Sequence, residues 1–394
     1  MRSPGDRAIF WAAICGLLAF AVYNLSTAGP SPYDHYVRLA RAFLQGRVDL
    51  EDPPAYLEVA RFGGRSYVLN PPFPAVLLLP AALFWPSETT QWVASHLVGA
   101  LYAALTVLVA SRLLPDRRDY LWIGALGAFG TILWYLAAVG STWYYAHVVV
   151  AAALTVGILE TLGRRRPVVL GTVVAVAYLS RAPNIMTFVF FLLATLPVWA
   201  PAGLRIWRRL DPGYLIRLTA PVAAGLVVGM AYNWARFGTI ADIGESLRPG
   251  IWDEPWFARG LLHPSYIPRH LDLLFRALPV FVPHPPYLLV PWWGLAIWVT
   301  TPAFVYALRA PADLQTLSAW LTVAIVALLN FLWGGTGWSQ FGYRFIADIY
   351  PLLVLLTIRG LRGRVGWPAR VLIGASVLAN LWGVVFIRLG YWAR

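Results

Sequence analysis

From Ala8 to Gln45 the chain reads AIFWAAICGLLAFAVYNLSTAGPSPYDHYVRLARAFLQ. Its first part, Ala8 to Asn24 and fading through Gly29, is one apolar run of the length that crosses a bilayer, about 20 residues. Its second part changes period. Tyr36, Leu39, Ala40, Phe43 and Leu44 recur at helical spacing, while Asp34, Arg38, Arg41 and Gln45 take the opposite face. The spacing predicts an amphipathic helix over residues 32–45, ended by Gly46 and lying in the interface with its apolar side in the headgroups. Asp34 is thereby held at the mouth of a first membrane span, where a carboxylate points to chemistry at the membrane surface. A purely structural role is the other reading: Ser31-Pro32-Tyr33-Asp34 fits a capping box with Pro at the first helical position, and Asp34 is spaced to pair with Arg38.

Composition extends that reading to all 394 residues. With 59% hydrophobic residues, 12% charged and a mean hydropathy of +0.63, the chain lies outside the soluble range. An all-α multi-pass membrane protein is expected. The formal charge of +13 would suggest nucleic acid in a soluble protein, but here the basic residues cluster in short connections between apolar runs, which is a topology signal. No nucleic-acid partner is expected. All basic side chains are Arg and none is Lys; genome composition explains this more simply than phosphate recognition does. Cys15, the one cysteine, lies inside the first apolar run, so there is no disulfide framework and no thiolate metal site. That first run is long and lacks a small-residue cleavage site, so it reads as a retained helix.

About eleven spans are expected, near 8–28, 91–112, 119–139, 143–162, 167–181, 183–200, 215–235, 286–308, 314–333, 346–359 and 370–390, with 167–200 readable as a broken pair. Arg112, Arg117 and Arg118; Arg164, Arg165 and Arg166; Arg205, Arg208, Arg209 and Arg217; and Arg359, Arg362 and Arg364 then fall on one side, which the positive-inside rule makes cytoplasmic. The amino terminus, with Arg2 and Arg7, joins them. The expected location is the cytoplasmic membrane of a prokaryote. One transmembrane domain over 1–394 carries two long extracytoplasmic stretches, 29–90 and 236–285, and long loops in a compact protein are usually functional. No internal repeat is visible, which weakens a repeat-built transporter reading.

Within the first long loop, Asp49, Glu51 and Asp52 leave a divalent metal open as an option, with a solvated turn the plainer account. No cofactor is demanded. Asn70-Pro71-Pro72-Phe73-Pro74 leads into an apolar run too short and proline-rich to cross, so a re-entrant or interfacial segment is expected there. In the second loop, Trp252-Asp253-Glu254-Pro255-Trp256 sets two carboxylates between indoles, as an interfacial anchor or a sugar grip. Arg181, Arg236 and Arg344 each stand near the outer end of a span. An Arg at membrane depth costs about 2.5–3.5 kcal/mol, so it faces a partner, a cavity or the headgroups. A phosphate would suit all three, because guanidinium forks bind it bidentately. His96 and His147 are expected to bond inside the bundle. His35, His263, His270 and His284 fall in the outer loops without zinc spacing, so no metal ligands are assigned.

Tyr232-Asn233-Trp234-Ala235-Arg236-Phe237-Gly238-Thr239 resembles an element that follows a middle span in bacterial membrane glycosyltransferases of the GT-C superfamily. Gly334-Gly335, Phe341-Gly342-Tyr343-Arg344-Phe345 and Asp348 to Pro351 resemble a later element of the same enzymes. Asp34 with its amphipathic helix, and the prolines near 70–74, match the layout of their first outer loop. The resemblance implies transfer of a sugar from a polyprenyl-phosphate donor to an acceptor glycan, lipid or protein, as in protein O-mannosyltransferases and aminoarabinose transferases. It implies Asp34 as the catalytic acidic residue. His35 stands where many of those enzymes have a second acidic residue.

A carboxylate can take the acceptor hydroxyl's proton. The leaving phosphate needs charge stabilisation, for which Arg344, Arg236, Arg181 and Tyr343 are the donor-side candidates. His35, Asp253 and Glu254 are candidates for sugar or acceptor contact. One displacement would invert the anomeric carbon, whereas retention would want a second close carboxylate, with Asp348 or Asp253 to hand. The alternatives are a lipid or solute transporter or flippase, and a non-catalytic subunit of a cell-envelope assembly.

Overall fold

The structure is a computed structural model that describes residues 4–27, 29–199, 211–389 and 392–393. The first apolar run forms α1 (Pro4–Ser26). It is followed by α2 (His35–Leu44), the hairpin of β1 (Val59–Phe62) and β2 (Arg65–Val68), and the short apolar helix α3 (Phe73–Ala82). Next come α4 (Glu88–Leu113), α5 (Arg117–Phe129), α6 (Leu133–Val139), α7 (Thr142–Thr161) and α8 (Pro167–Ser180), then α9 (Phe188–Ala194) and α10 (Leu196–Trp199). The second half holds α11 (Pro212–Phe237), α12 (Ile267–Arg276), β3 (Val280–Phe281), β4 (Leu288–Pro291), α13 (Ile297–Thr300), α14 (Leu314–Phe331), α15 (Tyr350–Gly360) and α16 (Trp367–Arg388).

Among the described residues, α1, α4, α7, α11, α14 and α16 are long and apolar enough to cross a membrane, and α5 with α6, bent by 50° at a short break, brings the number to seven if the pair is one span. The expected count of about eleven is not confirmed; it also includes shorter apolar pieces such as Pro167–Ser180 and Ala182–Ala194. The stretch 167–200 breaks after Ser180, where Pro183 stands within a 3₁₀ turn (Ala182–Thr187). The stretch 286–308 is not one helix: it passes through β4, the four-residue α13 and a 3₁₀ helix (Pro302–Arg309). Pro291, Gly294 at φ +85° and Pro302 interrupt it, because proline removes a helical donor and clashes with the preceding turn. Arg205, Arg208 and Arg209 lie outside the described residues.

Helices in lipid gain little from apolar burial against one another, so close backbone approach through small residues carries the packing. A Cβ on Gly171 of α8 would stand 2.2 Å from the Leu218 carbonyl oxygen of α11, and one on Gly225 of α11 would stand 2.8 Å from Ala175 Cβ. At one end of the bundle the basic connections are knitted together: the Tyr214 hydroxyl donates to the Arg165 carbonyl at 2.8 Å, Arg370 pairs with Asp119 at 3.3 Å, and Arg359 with Asp313. At the other end sits α2. Its Tyr36, Val37, Leu39 and Ala40 are buried with Ala75 and Leu78 of α3, Tyr145 of α7 and Tyr232 of α11. Most of the apolar side of α2 is therefore covered by protein, by α3 and the ends of α4, α7 and α11, while Leu44 at its end stays 44% exposed.

Candidate functional site

The helix begins at His35, three residues later than the sequence pattern places it, and Asp34 is its N-cap residue without a capping hydrogen bond from its side chain. Ser31 does not close a capping box; its hydroxyl accepts from the Tyr33 N–H at 3.3 Å. The Asp34 carboxylate turns instead to Arg38, whose Nε donates to Oδ1 at 2.7 Å. Asp34 is 3% exposed, and Oδ2 has no partner among the described residues.

Two side chains from outside the loop fix this turn. The Gln91 carboxamide of α4 donates to the carbonyls of Tyr33 and Gly140 at 3.0 Å each, while its oxygen accepts the Tyr36 N–H at 3.1 Å. Thr142, at the start of α7, donates its own N–H to the Tyr33 carbonyl at 3.0 Å, and its hydroxyl accepts the His35 N–H at 3.0 Å. Both residues are buried. Neither carries a motif, so periodicity passes over them.

His35 leads from Asp34 to the outer loops. Its Nε2 lies 3.1 Å from the Glu58 carbonyl and its Nδ1 3.0 Å from the Thr142 hydroxyl. A carbonyl only accepts, so Nε2 carries the ring proton, and Nδ1 lies beside the Thr142 hydroxyl, whose single proton is donated to the Tyr33 carbonyl at 2.8 Å. Burial, with Arg38 adding to it, lowers the ring's pKa to about 4. The Glu58 carboxyl is pushed above its ordinary value by partial burial, against the pull of Arg248 and Arg344. Arg248 gathers Glu58 at 3.7 Å, Glu245 at 3.7 Å and Glu254 at 2.8 Å. Glu254 also accepts from the Trp256 indole N–H. Thus Glu254 and His35 meet on one network through Glu58, whereas Asp253 stays exposed outside it. Earlier in the first loop, Asp49 and Glu51 pair with Arg47, at 3.5 and 2.9 Å.

The three arginines fare differently. Arg236 is buried, with Nη1 on the Val68 carbonyl at 2.7 Å and Nη2 on Asn233 Oδ1 at 2.6 Å, and its guanidinium covers the rings of Tyr232 and Phe237 at 4.1 and 4.5 Å. It ties α11 to β2 through its two terminal nitrogens, while its buried Nε has no hydrogen-bond partner among the described residues. Arg181 donates Nε to Asp348 Oδ2 at 2.8 Å; the other oxygen, Oδ1, is 2.6 Å from His147 Nδ1, and Asn184 Nδ2 adds a bond to Oδ2 at 3.0 Å. Arg344 has no ion pair or acceptor for its guanidinium among the described residues. It lies over the rings of Tyr144 at 5.6 Å and Phe345 at 5.1 Å, and Arg181 lies 6.0 Å from the same Phe345 ring. Two guanidiniums thus share one ring, and of the two Arg181 alone is paired with Asp348. Tyr343 is buried, with its hydroxyl 2.5 Å from His270 Nδ1, and so holds α12 against this segment. The second histidine of the bundle, His96, bonds the Ala138 carbonyl through Nε2 at 2.9 Å.

The arrangement of spans and outer loops has solved counterparts. Aligned over 90% of this chain, ArnT from Cupriavidus metallidurans bound to undecaprenyl phosphate superposes with a TM-score of 0.53 at 17% identity. The fold is GT-C. ArnT in the apo state gives 0.51 at 18% identity over the same share, and this chain spans about 60% of the length of ArnT. The oligosaccharyltransferase AglB from Archaeoglobus fulgidus, in complex with an inhibitory peptide and a dolichol-phosphate, stands at 0.47 with 11% identity, covering 99% of this chain and 56% of its own. No protein-family model matches the chain, and no curated protein matches it.

Proposed function

We propose that this chain moves a sugar from a polyprenyl-phosphate donor to an acceptor hydroxyl on the extracytoplasmic face of the membrane. The observation that carries the reading is Asp34: a carboxylate buried at the outer mouth of the first span, held through Oδ1 with Oδ2 free, in a GT-C fold whose solved example ArnT binds undecaprenyl phosphate. Arg38 fixes the carboxylate without covering Oδ2, and Gln91 and Thr142 fix the backbone beneath it. Oδ2 takes the acceptor's proton as its oxygen attacks the anomeric carbon. The bond from that carbon to the phosphate oxygen breaks, and the phosphate leaves as an anion beside Arg344, with Arg181 nearby.

The engagement of Asp348 supports a single displacement with inversion, because His147, Arg181 and Asn184 occupy both of its oxygens and so remove it as the nucleophile of a covalent intermediate. The arginine-rich end of the bundle is then cytoplasmic and the Asp34 end faces out. The donor's sugar and the acceptor are the substrates to be identified.

The test is sugar transfer by the purified protein in lipid, with a panel of polyprenyl-phosphate sugars. Asp34→Asn is expected to bind donor normally and to lose turnover by about 10²–10⁴-fold, the usual share of a general base. Arg344→Gln is expected to weaken donor binding. Donor binding without turnover by the wild type across the panel would point to a carrier or a non-catalytic subunit instead.

A further inference from the structure

At the basic end of the bundle, far along α4 and α7 from Asp34, the ends of α1, α4, α5 and α7 leave a cleft of ≈ 980 Å³. Its walls are of two kinds. Arg7, Arg112 and Arg117 supply guanidiniums, while Leu108, Tyr120 and Leu159 supply apolar surface. Arg112 and Arg117 have no ion-pair partner among the described side chains, in contrast to Arg166, Arg359 and Arg370 at the same end, which pair with Glu160, Asp313 and Asp119. Asp116 also lines the cleft, but its Oδ1 is engaged as the cap of α5, accepting the Arg118 N–H at 2.8 Å. The cleft thus carries an excess of positive charge at its rim and an apolar floor between helices.

We infer that this cleft binds one anionic phospholipid, with the headgroup phosphate among Arg7, Arg112 and Arg117 and an acyl chain along Leu108 and Leu159. The two surfaces together select that occupant. A soluble anion would use the arginines and leave the apolar floor wet, and a zwitterionic lipid would gain from the floor but bring its own cation to the arginines. Guanidiniums suit a phosphate because they bind it with paired donors and stay charged at any working pH. Basic pockets between spans on the cytoplasmic side of membrane proteins hold acidic headgroups by this physics. The volume is at the upper end of small-ligand sites, roughly 300–1,000 Å³, enough for a headgroup and part of a chain.

The experiment uses the full-length protein in detergent, titrated separately with phosphatidylglycerol, phosphatidylcholine and inorganic phosphate, with lipid retention followed by native mass spectrometry and thermal stability measured alongside. The expected result is one retained phosphatidylglycerol with a raised thermal midpoint. R112Q and R117Q should each weaken retention roughly fivefold, about the effect of one basic residue near an anionic surface. Both side chains are exposed, so the lipid-free thermal midpoint of each variant should match the wild type. Equal retention of phosphatidylcholine, or retention unchanged in the R112Q/R117Q double variant, would overturn the inference. So would saturable protection by inorganic phosphate that displaces the lipid, since that would make the cleft a soluble-anion site. Donor turnover plays no part in the readout, so failure of the glycosyltransferase reading leaves this test intact.

Discussion

Gln91 shows what a single residue does for the turn that bears Asp34 from a distance of 55 positions along the chain, counted from its bond to the Tyr36 N–H. It supplies both donors and its acceptor to three backbone groups, the Tyr33 and Gly140 carbonyls and the Tyr36 N–H, of which the Tyr33 carbonyl also accepts from Thr142. An unpaired buried group costs about 1–3 kcal/mol. Gln91→Leu keeps the volume and removes all three bonds, so it is expected to lower the thermal midpoint and to reduce turnover more than donor affinity, because the turn bearing Asp34 loses its fixed geometry. Unchanged kcat in a folded Gln91→Leu protein would show that the turn is held by other contacts. His35 gives a pH dependence of known sign. Its ring titrates near pH 6.5 when unfolded and about 4 when folded, so between these values the unfolded chain binds more protons. Stability from the neutral ring is complete above pH 6.5 and is lost as pH falls towards 4, at up to about 1.4 kcal/mol per pH unit. His270 is lowered to about 4 as well and adds the same sign. Thermal midpoints measured down this range should fall for the wild type and fall less steeply for His35→Gln.

At the scale of the element, the long apolar helices were legible because their signal is continuous over their own residues. The shorter pieces were not, since an apolar run says nothing of whether prolines within it leave a straight helix. The amphipathic period of α2 was also visible, but its cover was not: the pattern states which side avoids water, and both headgroups and protein satisfy that. The contact of α8 with α11 rests on Gly171, where the added Cβ would meet backbone and neither helix can yield without sliding. Gly171→Ala is therefore expected to destabilise despite the better helix propensity of alanine. Gly374 in α16 has nothing within 4 Å of an added Cβ, so Gly374→Ala should be neutral or stabilising by up to about 1 kcal/mol. Thermal unfolding of the pair in detergent checks both; equal effects would mean that the α8–α11 approach carries no special weight.

For the molecule as a whole, the separation of its two ends organises function. Basic connections and the phospholipid cleft lie at one end, and Asp34, Arg344 and the Arg248 network at the other. Side-specific labelling tests the orientation that the reaction requires. In a Cys15→Ala background, Asp253→Cys should react with a membrane-impermeant maleimide added to intact cells, and Arg164→Cys should react only after the membrane is opened. The reverse pattern would place Asp34 on the cytoplasmic side and remove the proposed extracytoplasmic transfer.

Some of this protein was decided within short stretches of sequence. Span-forming runs need only consecutive apolar residues, and the Asp34–Arg38 pair needs only the i, i+4 spacing of one helical turn, so both could be read directly. Arg236, Arg181 and Arg344 looked alike in the sequence because each is an arginine near the outer end of an apolar run. Only the tertiary structure separated them. Arg236 meets the Val68 carbonyl across 168 positions and Arg181 meets Asp348 across 167, while Arg344 is left with aromatic faces. A buried charge is satisfied by whatever partner the fold brings within about 3 Å, and that partner is set by the packing of distant helices rather than by neighbours in the chain.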